Sequence, residues 1–263
     1  MSNNINQQIQ ILINQFNVQN FQHVITKSKI LIKKNPENII LYNLLGSSLQ
    51  KVGDFINAEN VFLEGLKLDN NNIAIKNNLA MNYRNLLNYK QSEICFVEII
   101  KKNKNYINAY VNLGNLKRDL NKFDQAIDLY NQALSIDEKN PVVYYSLALA
   151  FQGLGKFQDA IKFAKKTLSI DPNFTRADNL ISQSMKYEKV NDHYENIKNK
   201  IKDNKLSNND KIELYFAIAK ADEDLGNIKE ASENIILGNN LKKKIINYDI
   251  KKDLELFEVI KEI

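Results

Sequence analysis

The chain has 263 residues, 44% hydrophobic and 25% charged, with 3 Pro, 8 Gly and a formal charge of +5. That is enough apolar material to bury a core, which argues against disorder, and the few helix breakers favour an all-α chain with no Pro-, Gly- or Ser-rich linker. The positive charge is scattered; its tightest run, Lys242 to Lys244, reads as a helix end, and no basic stripe with interleaved aromatic residues points to nucleic acid.

From the N-terminus, residues 1–10 carry neither a basic n-region nor an apolar h-region, so no secretory signal is expected there. The apolar stretch Val142 to Phe151 is about half the length needed to cross a bilayer, so no membrane partner is expected. The single cysteine, Cys95, excludes an intramolecular disulfide and reads as a small buried residue of a protein in a reducing, cytoplasmic setting. Asn is the commonest polar residue, so any argument from asparagine has to exceed a high background.

A 34-residue period organises the chain. Tyr42, Lys76, Tyr110 and Tyr144 fall in step, followed by Leu45, Leu79, Leu113 and Leu147, and then by the small residues Gly46, Ala80, Gly114 and Ala148. Later in each period come Phe55, Tyr89, Phe123 and Phe157, then Ala58, Ser92, Ala126 and Ala160, then Phe62, Phe96, Tyr130 and Ala164. One period is a pair of antiparallel helices. Small residues admit the close crossing, and large ones fill the space beside it, contributing about 1.5 to 3 kcal/mol each when buried. Gly53-Asp54, Asn121-Lys122 and Gly155-Lys156 mark the turns within pairs, and Pro36, Pro141 and Pro172 mark unit boundaries.

In chain order, residues 1–38 read as a degenerate N-terminal repeat or cap, with Phe21, Val24 and Pro36 in phase but Leu12 where a small residue is expected. Residues 39–174 hold four regular units. Residues 175–247 hold two divergent ones: Ile181 and Ser182 keep phase, Tyr194 replaces a small residue, and Tyr215, Ala219, Gly226 and Ala231 restore the pattern about three residues late. Residues 248–263 read as an amphipathic helix covering the last open face.

Tyr42-Asn-Leu-Leu45-Gly46, Ala58-x-x-x-Phe62 and Ala126-Ile-Asp-Leu-Tyr130 resemble the tetratricopeptide-repeat signature, although no Trp occurs and Tyr or Lys stands at its place. The resemblance implies a right-handed superhelical solenoid of antiparallel helix pairs, whose first helices line a concave groove that binds proteins or extended peptides. A narrower resemblance lies in Leu214-Tyr-Phe-Ala-Ile-Ala-Lys-Ala-Asp-Glu-Asp-Leu-Gly226, with Gly238-Asn-Asn-Leu-Lys-Lys and Asn247-Tyr248-Asp249 after it. This resembles the end of the array in bacterial tetratricopeptide-sulfotransferase proteins, whose catalytic domain would then lie beyond Ile263. No Gly-rich loop ending in Ser or Thr is present to hold a sulfate donor, so this chain is expected not to be an enzyme and to need no cofactor.

The resemblance places Asn43, Asn77, Asn78, Asn112, Asn115 and Asn179 on the groove, with Arg84 and Arg118 one period apart and Tyr145 further along. An amide both donates and accepts, so it can bond a peptide main chain without reading sequence, and an arginine can grip a carboxylate. Asn112-Leu-Gly-Asn115 resembles the asparagine-ladder units of O-GlcNAc transferase, but Leu44, Ser146 and Leu180 interrupt that rung. The plainer reading is abundant Asn on a solvated face, and both stand at this stage. Gly153-Leu-Gly155-Lys156 is a turn and not a phosphate loop. Asp192, His193 and Glu195, like Asp222, Glu223 and Asp224, lack the spaced second His or Cys of a metal site and read as solvated faces. Self-association through the groove or the terminal faces is a further expectation.

Overall fold

The structure, a computed structural model, describes residues 2–246, and the expected helix over 248–263 lies outside the described residues. The chain divides into two compact units, Met1–Glu138 and Lys139–Ile263. Among the described residues there are fourteen helices and no strand, an all-α helical repeat solenoid.

The first unit contains α1 (Ser2–Asn17), α2 (Phe21–Lys34), α3 (Ile39–Lys51), α4 (Phe55–Leu68), α5 (Ile73–Asn85), α6 (Tyr89–Lys102), α7 (Ile107–Asp119) and α8 (Phe123–Ile136). Much of the asparagine has a local task here. The side chains of Asn38, Asn72 and Asn88 accept from the backbone N–H of Ile40, Ile75 and Gln91, capping the starts of α3, α5 and α6, as Asp54 caps α4. Within pairs the chain turns through one left-handed residue: Gly53 at φ 83°, Leu87 at 59° and Asn121 at 56°. Leu87 is the unexpected member, because a side chain there costs energy that glycine avoids.

The expected crossings are tight. A Cβ on Gly46 would lie 2.4 Å from Cε1 of Phe62, and one on Gly114 the same distance from Cε1 of Tyr130; both rings are fully buried. In the intervening pair Ala80 and Phe96 play the same parts, both fully buried, and Ser92 donates its hydroxyl to the Ala80 carbonyl at 2.8 Å. At the N-terminal end Leu12, out of pattern by sequence, packs with Ile9, Val24 and Leu41.

The second unit contains α9 (Pro141–Gly153), α10 (Phe157–Ile170), α11 (Thr175–Ser184), α12 (Asp192–Lys200), α13 (Asn208–Asp224) and α14 (Ile228–Ile245). Alanines 148, 160, 164 and 177 with Leu180 and Ile181 form its first core, beside which Phe151 and Phe163 stack at 5.1 Å. Where the period falters, polar groups hold the helices. Asp178, 1% exposed, accepts from Lys200 Nζ at 2.5 Å and lies 3.5 Å from His193 Nε2. Tyr187 OH bridges His193 Nδ1 at 2.6 Å and Ser182 Oγ at 2.9 Å. Tyr194 donates its hydroxyl to Asp222 Oδ1 at 2.6 Å, which explains the large residue at a small-residue position. The solvated-face reading of Asp222 is therefore corrected: it is fully buried and accepts a second bond from Asn234. His193, too, belongs to a buried polar chain and not to a surface.

Candidate functional site

The candidate residues divide between the units. Asn43 on α3, Asn77, Asn78 and Arg84 on α5, and Asn112, Asn115 and Arg118 on α7 belong to the first; Tyr145 on α9 and Asn179 on α11 belong to the second.

In the first unit the asparagines form a connected chain. Asn78 donates to Asn43 Oδ1 at 2.8 Å and to Ser47 Oγ at 3.2 Å, and Asn112 donates to Asn77 Oδ1 at 3.0 Å. Asn77 and Asn78 are joined by a longer 3.4 Å contact, so the amides link α3, α5 and α7 across three successive pairs. Gln50, which the sequence did not single out, donates to the Asn78 carbonyl at 2.8 Å. The bonded pairs are 35 residues apart, one more than the 34-residue period, so each asparagine meets the residue next to its repeat counterpart on the neighbouring first helix. Asn77 is 7% exposed, too buried for a merely solvated face, while the other three are half-buried. Two groups at the ends of this chain, Asn43 Nδ2 and Asn112 Oδ1, keep hydrogen-bonding capacity.

Asn115 is tied differently, accepting from Tyr130 OH at 2.9 Å. Burial pushes the Tyr130 hydroxyl up to about 12, against the opposing pull of the nearby Arg118 and Arg84 charges. The two arginines are unequal. Arg84 Nε meets Asp119 Oδ2 at 2.5 Å, so its carboxylate is supplied by the next pair of the same chain. Arg118 makes no ion pair among the described residues, and its buried Nη1 has no hydrogen-bond partner. Three charges, Arg84, Arg118 and Asp119, thus leave one cation in excess beside a polar, half-buried surface. Asp119 was missed at the sequence level; its 35-residue separation from Arg84 is the signal that locates it.

In the second unit Tyr145 lies 5.0 Å from Phe174, with the Arg176 guanidinium 5.4 Å from the first ring and 4.9 Å from the second. Asn179 donates to Glu213 Oε2 at 2.6 Å, and its Oδ1 is buried without a partner. Among the described residues no group of three or more His, Cys, Asp and Glu could hold a metal ion.

Three family models match: "Tetratricopeptide repeat" over residues 39–72, "TPR repeat" over 114–155 and "Tetratricopeptide repeat" over 141–174. The chain therefore carries tetratricopeptide repeats. A tetratricopeptide repeat protein from Parabacteroides merdae is 15% identical, with 96% of this chain and 97% of that chain covered and a TM-score of 0.63. A thermophilic tetratricopeptide repeat protein from Thermus thermophilus is 16% identical over 67% of this chain and 96% of its own, with a TM-score of 0.61. MamA of AMB-1 is 18% identical over 62% and 96%, with a TM-score of 0.50. At these identities the likeness is one of fold. No protein of curated function matches the sequence. All three family matches end by residue 174, so the sulfotransferase-associated resemblance of Leu214 to Gly226 rests on those residues alone.

Proposed function

We propose that this chain is a non-catalytic scaffold that binds an extended segment of another protein along α3, α5 and α7. The observation that carries the reading is the amide chain running across three repeats beside Arg118, whose buried nitrogen has no partner. Mutual hydrogen bonds hold the amides in place before any ligand arrives, which lowers the ordering cost of binding. The amide groups left over at Asn43 and Asn112 suit a peptide main chain, which presents donors and acceptors whatever its sequence. Arg118 then supplies a charge-assisted contact to an acidic group on the partner.

The test is capture of partners from the source lysate by the wild-type chain and by an Arg84→Ala/Arg118→Ala variant of equal helicity, read by mass spectrometry. Partners lost with the variant support the surface; an unchanged set refutes it. Adding an Arg118→Ala single variant separates the two cations, and most of the loss is expected from that change alone because Arg84 is already paired.

The resemblance of Leu214 to Gly226 favours a second reading, in which the scaffold recruits a substrate for a sulfotransferase. Gene sequence beyond Ile263 tests it: a continuing transferase frame supports it, and a stop codon with no transferase frame nearby counts against it.

A further inference from the structure

The helix α1 carries a pattern that its packing does not use. No Lys, Arg, Asp or Glu occurs before Lys27, in a chain that is 25% charged, and α1 has neither an acidic residue in its first turn nor a basic one in its last to complement the helix dipole. Its apolar residues satisfy two periods at once. Ile5, Ile9, Leu12, Ile13 and Phe16 fall at helical spacing and pack with Val24, Leu31 and Leu41 of α2 and α3. Ile9, Ile11 and Ile13 alternate with Gln8, Gln10 and Asn14, interrupted by Leu12, which is the period of a strand. The helix leaves Ile11 50% exposed. Its hold is also slight: among its described side chains α1 buries Ile9 and Leu12, against six residues on α3. The turn into α2 passes through Gln19 at φ 62°, a left-handed conformation that costs energy in a residue with a side chain.

We propose that residues 8–14 are a self-association segment: freed from α2 and α3, the segment becomes a β-strand that stacks in register on the same segment of further copies of this chain. Three features select that occupant. In register, Ile9, Ile11 and Ile13 form one continuous apolar face, and each side-chain amide of Gln8, Gln10 and Asn14 bonds its own counterpart in the next strand. With no charged side chain in the stack, copies lie about 4.7–4.8 Å apart without like-charge repulsion. Isoleucine and asparagine are indifferent helix formers, and isoleucine favours strands, so the helical state of α1 depends on its packing. The cleft between α1 and α2 is a poorer contact between copies. Ile11 and Ile30 form its exposed apolar wall, but Lys27 and Lys34 line it and oppose the joining of two such clefts. The inference goes beyond the scaffold reading and uses none of the residues of the asparagine surface.

The test follows the full chain by thioflavin T fluorescence below its thermal midpoint, with fibre diffraction of the product. Wild type is expected to assemble after a lag, with a repeat of about 4.7–4.8 Å along the fibre. Leu12→Ala loosens α1 from Val24 and Leu41, raises the freed population by about thirtyfold or more, and shortens the lag. Ile11→Lys stacks like charges along the strand and abolishes assembly, while circular dichroism shows helicity unchanged because Ile11 lies outside the packed face of α1. A change that merely weakened α1 would hasten assembly, so the two effects have opposite signs. Ile30→Lys alters the wall of the α1–α2 cleft and is expected to leave assembly unchanged. Absence of assembly by both wild type and Leu12→Ala, or assembly that survives Ile11→Lys, overturns the proposal. Loss of assembly with Ile30→Lys also overturns it and assigns the cleft as the contact between copies. The Arg84→Ala/Arg118→Ala variant should assemble as wild type does, so failure of the segment and failure of the asparagine surface are read independently.

Discussion

Replacing Gly114 with alanine tests whether the crossing of α7 and α8 depends on the absence of a side chain. In an isolated helix the change stabilises by up to about 1 kcal/mol, because glycine is a poor helix former. In this fold the new Cβ meets Tyr130 at 2.4 Å (Cε1) and 2.9 Å (Cδ1 and Cζ), well inside contact distance. The ring has nowhere to go: it is fully buried, and its hydroxyl donates to Asn115. Overpacking costs about 1–3 kcal/mol, and a 2.4 Å approach to a fully buried ring lies at the upper end, about 2–3 kcal/mol, so after a gain of about 1 kcal/mol the net loss is about 1–2 kcal/mol. At about 2–4 °C per kcal/mol, thermal unfolding followed by circular dichroism should show a midpoint lower by several degrees. The cycle is closed with Tyr130→Leu, whose shorter side chain leaves room, so that Gly114→Ala costs little in that background. A Gly114→Ala protein as stable as wild type, or an equal cost with Leu at position 130, would refute the reasoning. Gly238→Ala is the comparison: its Cβ meets Phe216 at 2.9 Å, but that half-buried ring lines an open cleft and can shift, so a smaller loss is expected.

Asp178→Ala strips the buried carboxylate from Lys200 and His193 and should destabilise by about 3–5 kcal/mol in urea unfolding, with Asp178→Asn costing less. Asn77→Ala removes the acceptor used by Asn112 and should cost about 1 kcal/mol while weakening partner binding; unchanged binding would detach the amide chain from function. Burial alone would raise the Asp224 pKa, but the hydrogen bonds from Lys220 and the Tyr187 N–H outweigh it and hold the carboxyl below its ordinary value. Because the folded value is the lower one, this contribution to stability is complete above the unfolded value near about 4 and disappears as pH falls through the folded pKa. Lys220→Met should flatten that part of the stability profile between about pH 5 and 2, and identical profiles would count against the assignment. Burial, followed by the Glu98 charge, raises the Cys95 thiol pKa despite Lys76, so a disulfide reagent at mildly alkaline pH should label it more slowly than free cysteine until denaturant is added.

The helical class, the 34-residue period and the small and large positions within it were legible in the sequence, and the structure pairs them, Gly46 with Phe62 and Gly114 with Tyr130. They are local or strictly periodic, and in an array each pair packs mainly on its neighbours, so spacing alone states which residues meet. The period put Asn78 and Asn112 on one rung, whereas the bonds join Asn78 to Asn43 and Asn112 to Asn77, each 35 residues apart. It could not say which amide donates, nor that Asn38, Asn72 and Asn88 serve as helix caps while Asn43, Asn77, Asn78 and Asn112 bond one another. Those roles depend on where each side chain points once the helices are placed.

Tertiary structure decided what fell outside the period. Arg84 and Arg118 are alike in sequence, yet Arg84 pairs with Asp119 while the buried Nη1 of Arg118 has no hydrogen-bond partner. His193 and Asp222 read as solvated faces, and with Asp178 and Tyr187, which the sequence did not single out, they form the buried polar packing of the second unit. A repeating sequence thus specifies neighbours wherever the period holds, and the fold in three dimensions specifies them where it fails.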